Sequence, residues 1–239
     1  MFNDLPRKFV QDFIEKERWK YITSGLKTTL LITVLAVVVG IVIGAVIAIV
    51  RTSHDQMEGR KQGPGMVLLG IADGFCRLYL TIIRGTPVLV QLLLLYFVFM
   101  VNCPSKIVVA VTAFGINSGA YVAEIIRSGI MSVDIGQMEA GRSLGLSYVC
   151  TMRLIVLPQA FKNCLPSLVN ELITLLKETS ICGYIGLNEL TRGGDIIRST
   201  TFDAMLPLLA VAVIYLVIVM FFTWLMGKLE RRLRESDKR

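Results

Sequence analysis

Two runs of polar side chains inside apolar stretches carry whatever chemistry this chain performs. Asn117, Tyr121, Glu124 and Ser128 recur at i, i+4, i+7 and i+11, with Ser118 beside Asn117, so a helix sets them along one face. Glu171, Thr174 and Glu178 share a face farther on, with Asn170 and Lys177 adjoining. An ionisable group in hydrocarbon costs at least a few kcal/mol unless it faces protein or water. A carboxylate at Glu124 can attract a cationic group. The Arg84 guanidinium, or an exposed helix N-terminus, can meet a carboxylate. A polar stripe on each of two helices is what a path for a polar solute needs. Arg84, Asn117, Ser118, Tyr121, Glu124, Asn170, Glu171 and Thr174 are its candidate lining. The same groups could instead pair with one another and fix helix register, Lys177 with Glu178 and the nearby Glu171 above all.

Between these stripes lies a Gly-punctuated polar loop at 131–165. It reads Gly136-Gln137-Met138-Glu139-Ala140-Gly141-Arg142-Ser143-Leu144-Gly145-Leu146-Ser147 and closes with Leu157-Pro158-Gln159-Ala160. Asp134 with Gln137 three residues later predicts an N-cap and capping box, and Gly145 a C-terminal stop. A helix of about two turns between them has little to bury within its own loop, and a docking partner would explain it.

The elements that hold these groups are membrane spans. The chain has 239 residues, 54% of them hydrophobic, and a mean hydropathy of +0.65, far above a soluble domain. Leu30 to Val50 contains one polar residue, Thr33. That run spans about 31 Å, one hydrocarbon core. The first 20 residues carry five Lys/Arg and four Asp/Glu without a small-residue cleavage site, which argues for a retained anchor and against a cleaved signal peptide. The net charge of +7 follows from basic ends and loops, not from nucleic-acid binding. Cys76, Cys103, Cys150, Cys164 and Cys182 form no CxxC pair and read as packing residues. His54 is the one histidine, so a His-rich metal site is excluded and a His-based triad is not expected.

The expected fold is all-α and polytopic, with five spans near 24–50, 66–101, 107–130, 166–187 and 204–226. The second is too long for one straight crossing. Asp73, Arg77 and Arg84 predict that its first half lies at the membrane surface, and Pro87 a break before the half that crosses. Pro166 is expected to open the fourth, and Thr179-Ser180 with Gly183 to loosen its end. Lys/Arg counts orient the chain. Segments 51–84, 127–162 and 228–239 hold 5, 4 and 6 basic residues, against 5, 1 and 2 in 1–21, 102–106 and 188–203. This puts the N-terminus outside and the loop and C-terminus in the cytoplasm. Residues 1–23, with Phe9, Phe13, Ile14 and Trp19 among charges, should lie flat at the outer interface. The ridge Ala36, Gly40, Gly44, Ala48 is expected to pack helices, within the subunit or against a second one.

Six motifs in order make the chain resemble the membrane subunit of an ATP-binding-cassette importer, in the polar amino acid permease branch. They are Arg84-Gly85-Thr86-Pro87 with Gln91-Leu92; Ala120-Tyr121 with Glu124-Ile125, Arg127 and Gly129-Ile130; Gly136-Gln137 with Glu139-Ala140; Ser143-Leu144-Gly145-Leu146; Leu157-Pro158-Gln159-Ala160; and Lys177-Glu178-Thr179-Ser180. The resemblance implies a coupling helix seated in an ATPase groove, with Gln137, Glu139, Ala140, Gly141, Leu144, Gly145 and Leu146 at the contact. It implies a cytoplasmic ATPase dimer, a second permease subunit (identical or homologous) and an extracytoplasmic amino acid binding protein. The setting would be the lipid bilayer of a prokaryotic cytoplasmic membrane, with no nucleic acid. This chain should hold no cofactor and no catalytic residue. ATP with magnesium would sit on the partner, since neither Gly25-Leu26-Lys27-Thr28 nor Gly227-Lys228-Leu229 completes a phosphate loop. The family's loop usually reads Glu-Ala-Ala where this one reads Glu139-Ala140-Gly141, at about 1 kcal/mol of helix propensity.

Two other classes compete. An ion-coupled carrier or channel should show two related halves, and no internal repeat is found. A membrane-embedded enzyme would need a nucleophile with an evident base in a span, and there is none.

Overall fold

The computed structural model describes residues 5–57 and 63–237. Arg60, Lys61, Lys238 and Arg239, counted in the charge bias, lie outside them, as do residues 1–4 of the N-terminal segment. All described secondary structure is helical. In chain order the helices are α1 (Leu5–Phe9), α2 (Trp19–Met57), α3 (Pro64–Gly85), α4 (Val88–Leu94), α5 (Lys106–Met131), α6 (Ile135–Ser143), α7 (Tyr148–Thr151), α8 (Leu157–Glu178), α9 (Leu190–Thr201) and α10 (Met205–Asp237). Tighter or wider turns extend several of them. π-helical turns cover Val10–Ile14, Leu95–Phe99 and Met152–Val156, and a 3-10 helix covers Thr179–Ile185.

Four helices are long and apolar enough to cross a membrane: α2, α3, α5 and α10. With α8, 22 residues long but more polar, they make the five expected spans. The bundle is built around α5, whose Val109, Ala110, Ala113, Phe114 and Ala120 have no exposed surface. Its partner is α2. The small-residue ridge is used within the chain: a Cβ on Gly40 would lie 2.8 Å from Ser118 Oγ, and one on Gly44 2.6 Å from Val122 Cγ1. Only glycine permits so close an approach.

The second span breaks at Pro87 as expected, into a longer and a shorter apolar helix. Thr86 and Pro87 are extended, and α3 before them is long enough, at about 33 Å, to cross. Residues 88–99, at about 18 Å, are too short to cross alone. Asp73 and Arg77, which argued for a surface position, neutralise each other: Arg77 Nε donates to Asp73 Oδ2 at 2.6 Å, and Asp73 is buried.

The helix that carries the fourth expected span begins before 166, at Leu157. Pro158 occupies the first turn of α8 and Pro166 lies inside it. The looser end at Thr179 is present as the 3-10 helix, closed by Gly186 at φ +68°. Between it and α10 lies α9, which packs on α2 and α10 through Leu190 and Ile197. Its N-cap Glu189 is fully buried and accepts from the N–H groups of Thr191 (2.7 Å) and Arg192 (2.6 Å). Burial raises its carboxyl above the usual range, opposed by those two bonds. In the N-terminal segment Phe9, Ile14 and Trp19 are exposed, whereas Phe13 is buried in the cluster with Leu190 and Ile197.

Candidate functional site

The polar stripe of α5 divides among three neighbours. Glu124 forms an ion pair with Arg84, in the last turn of α3, and the Arg84 guanidinium lies 5.7 Å from the centre of the Tyr121 ring. Arg84, Tyr121 and Glu124 are thus one cluster. Both charged side chains keep 41% of their surface exposed. Asn117 has a structural task instead. It is buried and donates to Gln91 Oε1 at 3.0 Å. Gln91 Nε2 in turn donates to Ile83 O (2.7 Å) and Thr86 Oγ1 (2.8 Å). This amide relay satisfies backbone freed by the break at Pro87 and latches α3, α4 and α5 together. Ser118 is fully buried against Gly40; its hydroxyl approaches Glu171 of α8 without closing a hydrogen bond.

Two cavities meet at Glu124. One, about 550 Å³, is lined by Arg51, Arg77, Leu80, Thr81, Arg84, Gly85, Tyr121 and Glu124. The other, about 640 Å³, lies between α5 and α8 and is lined by Glu124, Ser128, Ser132, Lys162, Asn163, Pro166, Ser167 and Glu230 among others. The wall that α8 presents there is therefore Asn163 and Ser167, one to two turns before the expected Asn170, Glu171 and Thr174. Those three continue the same face by i+3 and i+4 steps. Among the described residues no hydrogen bond or ion pair joins them to Arg84 or Glu124. Thr174 Oγ1 donates to Asn170 O at 3.0 Å. The alternative, a pairing of Lys177 with Glu178 or Glu171, gives no ion pair within 4.0 Å among the described residues; Lys177 is exposed and Glu178 half-buried. Asn163 and Ser167 extend the polar periodicity upstream, the signal obscured by starting the span at Pro166.

Two further charge clusters brace the same helices. Arg127 Nη2, one turn after Glu124, donates to Asp55 Oδ2 of α2 at 2.9 Å. Buried Asp73 of α3 faces Arg51 Nε at 3.5 Å, His54 Nδ1 at 3.8 Å and Arg77 Nε at 2.6 Å. Arg84–Glu124, Arg127–Asp55 and Arg51–Asp73 thus join α3 to α5, α5 to α2 and α2 to α3.

The loop helix is α6. Asp134 Oδ1 accepts from Gly136 N at 2.7 Å, the N-cap bond. The reciprocal half of the capping box is absent, because the Gln137 side chain accepts from Gln159 Nε2 at 3.4 Å. The C-terminus is a Schellman motif: Gly145 has φ +81°, Gly145 N donates to Arg142 O, and Leu146 N to Gly141 O. Gly141 is buried, and a Cβ there would lie 2.5 Å from Thr151 Cγ2. The departure at Gly141 is therefore what lets α6 lie on the following segment. Leu146 is half-buried, whereas Gln137, Glu139, Ala140, Leu144 and Gly145 point outward. Leu144 is 81% exposed and Ile135 75%, an apolar surface outside the spans that no described residue covers.

Residues 63–235 match the model of the family described as binding-protein-dependent transport system inner membrane component. The arginine transport system permease protein ArtQ of Bacillus subtilis (strain 168) is 38% identical over 189 residues, 72% of this chain and 85% of the relative. The putative glutamine transport system permease protein GlnP of Rickettsia typhi is 40% identical over 162 residues, 66% of this chain and 74% of the relative. A chain in the crystal structure of an amino acid ABC transporter with histidines superposes with a TM-score of 0.79 at 40% identity, covering 92% of this chain and 98% of that one. A chain of the inward-facing MetNI methionine ABC transporter shares the fold, with a TM-score of 0.72 at 18% identity over 90% of this chain and 97% of that one. Apolar spans, a capped loop helix and these matches agree: the chain belongs to the binding-protein-dependent inner membrane components of ABC transport systems.

Proposed function

We propose that this chain is the permease subunit of an importer for a polar amino acid. A separate ATPase dimer, holding ATP with magnesium, energises it; an extracytoplasmic binding protein feeds it; and a second permease subunit, identical or homologous, completes the path. The Arg84–Glu124 pair on the boundary of two cavities carries this reading. An amino acid bears a carboxylate and an ammonium, the two charges that Arg84 and Glu124 lack when parted from each other. A zwitterion arriving between them exchanges one ion pair for two, so desolvating the path costs the protein no unpaired charge. The relatives named for arginine and glutamine support amino acid cargo and differ in side-chain charge.

In this reading α6 is the coupling helix, with Glu139, Ala140, Leu144, Gly145 and Leu146 at the ATPase surface and Gln137 and Gly141 holding the helix to its own chain. The exposed Leu144 and Ile135 are the apolar surface a docked subunit would cover. ATP binding would draw the coupling helices together and shift α5 and α8, which flank the loop, between outward and inward access. The Lys/Arg bias supports an outside N-terminus and a cytoplasmic loop.

The test is uptake of labelled amino acids into vesicles holding the complete complex. Uptake that needs ATP, and that falls about tenfold or more in Glu124→Gln and Arg84→Gln through loss of a charged hydrogen bond, is expected. Uptake by this chain without any ATPase subunit would establish the ion-coupled carrier instead.

A further inference from the structure

The cavity beside Arg84 carries a charge surplus that bears on the cargo. Of its lining, Arg51 comes from α2, Arg77 and Arg84 from α3, and Glu124 from α5. Glu124 answers Arg84. Arg51 and Arg77 share a single carboxylate, Asp73, which lies behind the cavity wall with 4% of its side chain exposed. Asp55 is taken by Arg127. One guanidinium charge therefore has no counter-charge among the described residues. Arg51 Nε is buried without a hydrogen bond, and Arg77, also on the cavity lining, keeps 57% of its side chain exposed. Arg77 and Arg84 stand seven residues apart on α3, the same face about 10 Å along the axis. At about 550 Å³ the space is of the size that small-molecule sites have.

We infer that this cavity selects an amino acid with an acidic side chain. The inference rests on the path proposed above. With the α-ammonium on Glu124 and the α-carboxylate on Arg84, the side chain extends toward Arg51 and Arg77. A carboxylate there meets planar forks with free N–H groups, the geometry in which guanidinium binds carboxylate best. An amide gains hydrogen bonds but leaves the surplus charge unanswered. A lysine or arginine side chain meets like charge and is rejected.

The experiment measures calorimetric binding of glutamate, glutamine and arginine to the detergent-purified permease–ATPase complex. The binding protein is left out so that its own selectivity plays no part. Glutamate is expected to bind about tenfold tighter than glutamine or more, the worth of a charged over a neutral hydrogen bond, and arginine weakest. Arg51→Gln and Arg77→Gln should each shrink the glutamate-over-glutamine ratio at least about fivefold, and Arg77→Lys, which keeps the charge, less. Co-elution with the ATPase confirms that each variant is assembled. Glutamine or arginine binding as tightly as glutamate, or a ratio indifferent to Arg51 and Arg77, overturns the inference and leaves the permease reading intact. Binding of none of the three overturns the path itself.

Discussion

Replacing Gly141 by Ala restores the loop sequence usual in the resembling family, yet in this chain it should weaken the permease. The added Cβ would sit 2.5 Å from Thr151 Cγ2 and 3.0 Å from Ile155 Cδ1. Carbon atoms rest at about 3.5–4.0 Å, so the first contact overlaps by about 1 Å. Ile155 ends in a flexible methyl and can yield. Thr151 cannot turn freely, because it is fully buried and its Oγ1 donates to Ser147 O at 3.0 Å. Overpacking of this kind costs about 1–3 kcal/mol, and the gain in helix propensity returns about 1 kcal/mol. The net, about 0–2 kcal/mol, is a shift of up to roughly 30-fold against the docked position of α6. The assay is the dissociation constant of the permease–ATPase complex, with ATP-driven uptake alongside. Thr151→Ser removes Cγ2, keeps the hydroxyl and should recover most of the loss in the Gly141→Ala background. A Gly141→Ala protein that binds the ATPase as tightly as wild type, or a double variant weaker than either single one, would refute the packing argument.

Breaking the Asp55–Arg127 bridge with Asp55→Ala or Arg127→Ala should lower the amount of solute moved per ATP hydrolysed, and the exchange Asp55→Arg with Arg127→Asp should restore part of it; equal loss in singles and exchange would remove the bridge from the coupling route. Gly145→Ala places a side chain at φ +81° and should cost about 1–2 kcal/mol of loop-helix stability, read as faster hydrogen exchange across 135–146 than in Gly145→Asn. Asp203 is bonded to Lys8 (3.1 Å), and that bond holds its carboxyl below the usual range. A lowered carboxyl stabilises the fold above its unfolded value of about 4 and loses that contribution as pH falls through the folded value. Trp19 fluorescence should therefore change on acidification below about pH 4, and Asp203→Asn should show the acid signal at neutral pH.

What was legible in the chain depended on distance. The caps of α6 are local chemistry, so Asp134 and Gly145 announced both ends correctly. Gly40 and Gly44 announced a close helix contact, and Pro87 a break. Periodicity placed Asn117 and Glu124 on one face of α5 but could not say that α4 would claim the first through Gln91 while α3 claimed the second through Arg84. Asp73 and Arg77 pair within α3, whereas the approach of Arg51 and His54 to Asp73 from α2 has no local signal. Asp55 and Arg127 are 72 residues apart, and nothing near either names the other. Pro166 reads as a helix start, whereas the start is Pro158, inside the polar Gly-punctuated stretch.

The π-helical turn at Met152–Val156 has a consequence for how this protein can change over time. It holds one residue more than an α-turn in the same height, and it feeds straight into α8. Removing that residue would turn every later side chain of α8 by about 100°, carrying Asn163 and Ser167 off the cavity they share with Glu124. Substitutions in this segment leave that phase alone; single insertions and deletions do not. The number of residues in this segment, more than the identities of Arg153 and Leu154, therefore sets which face of α8 meets Glu124.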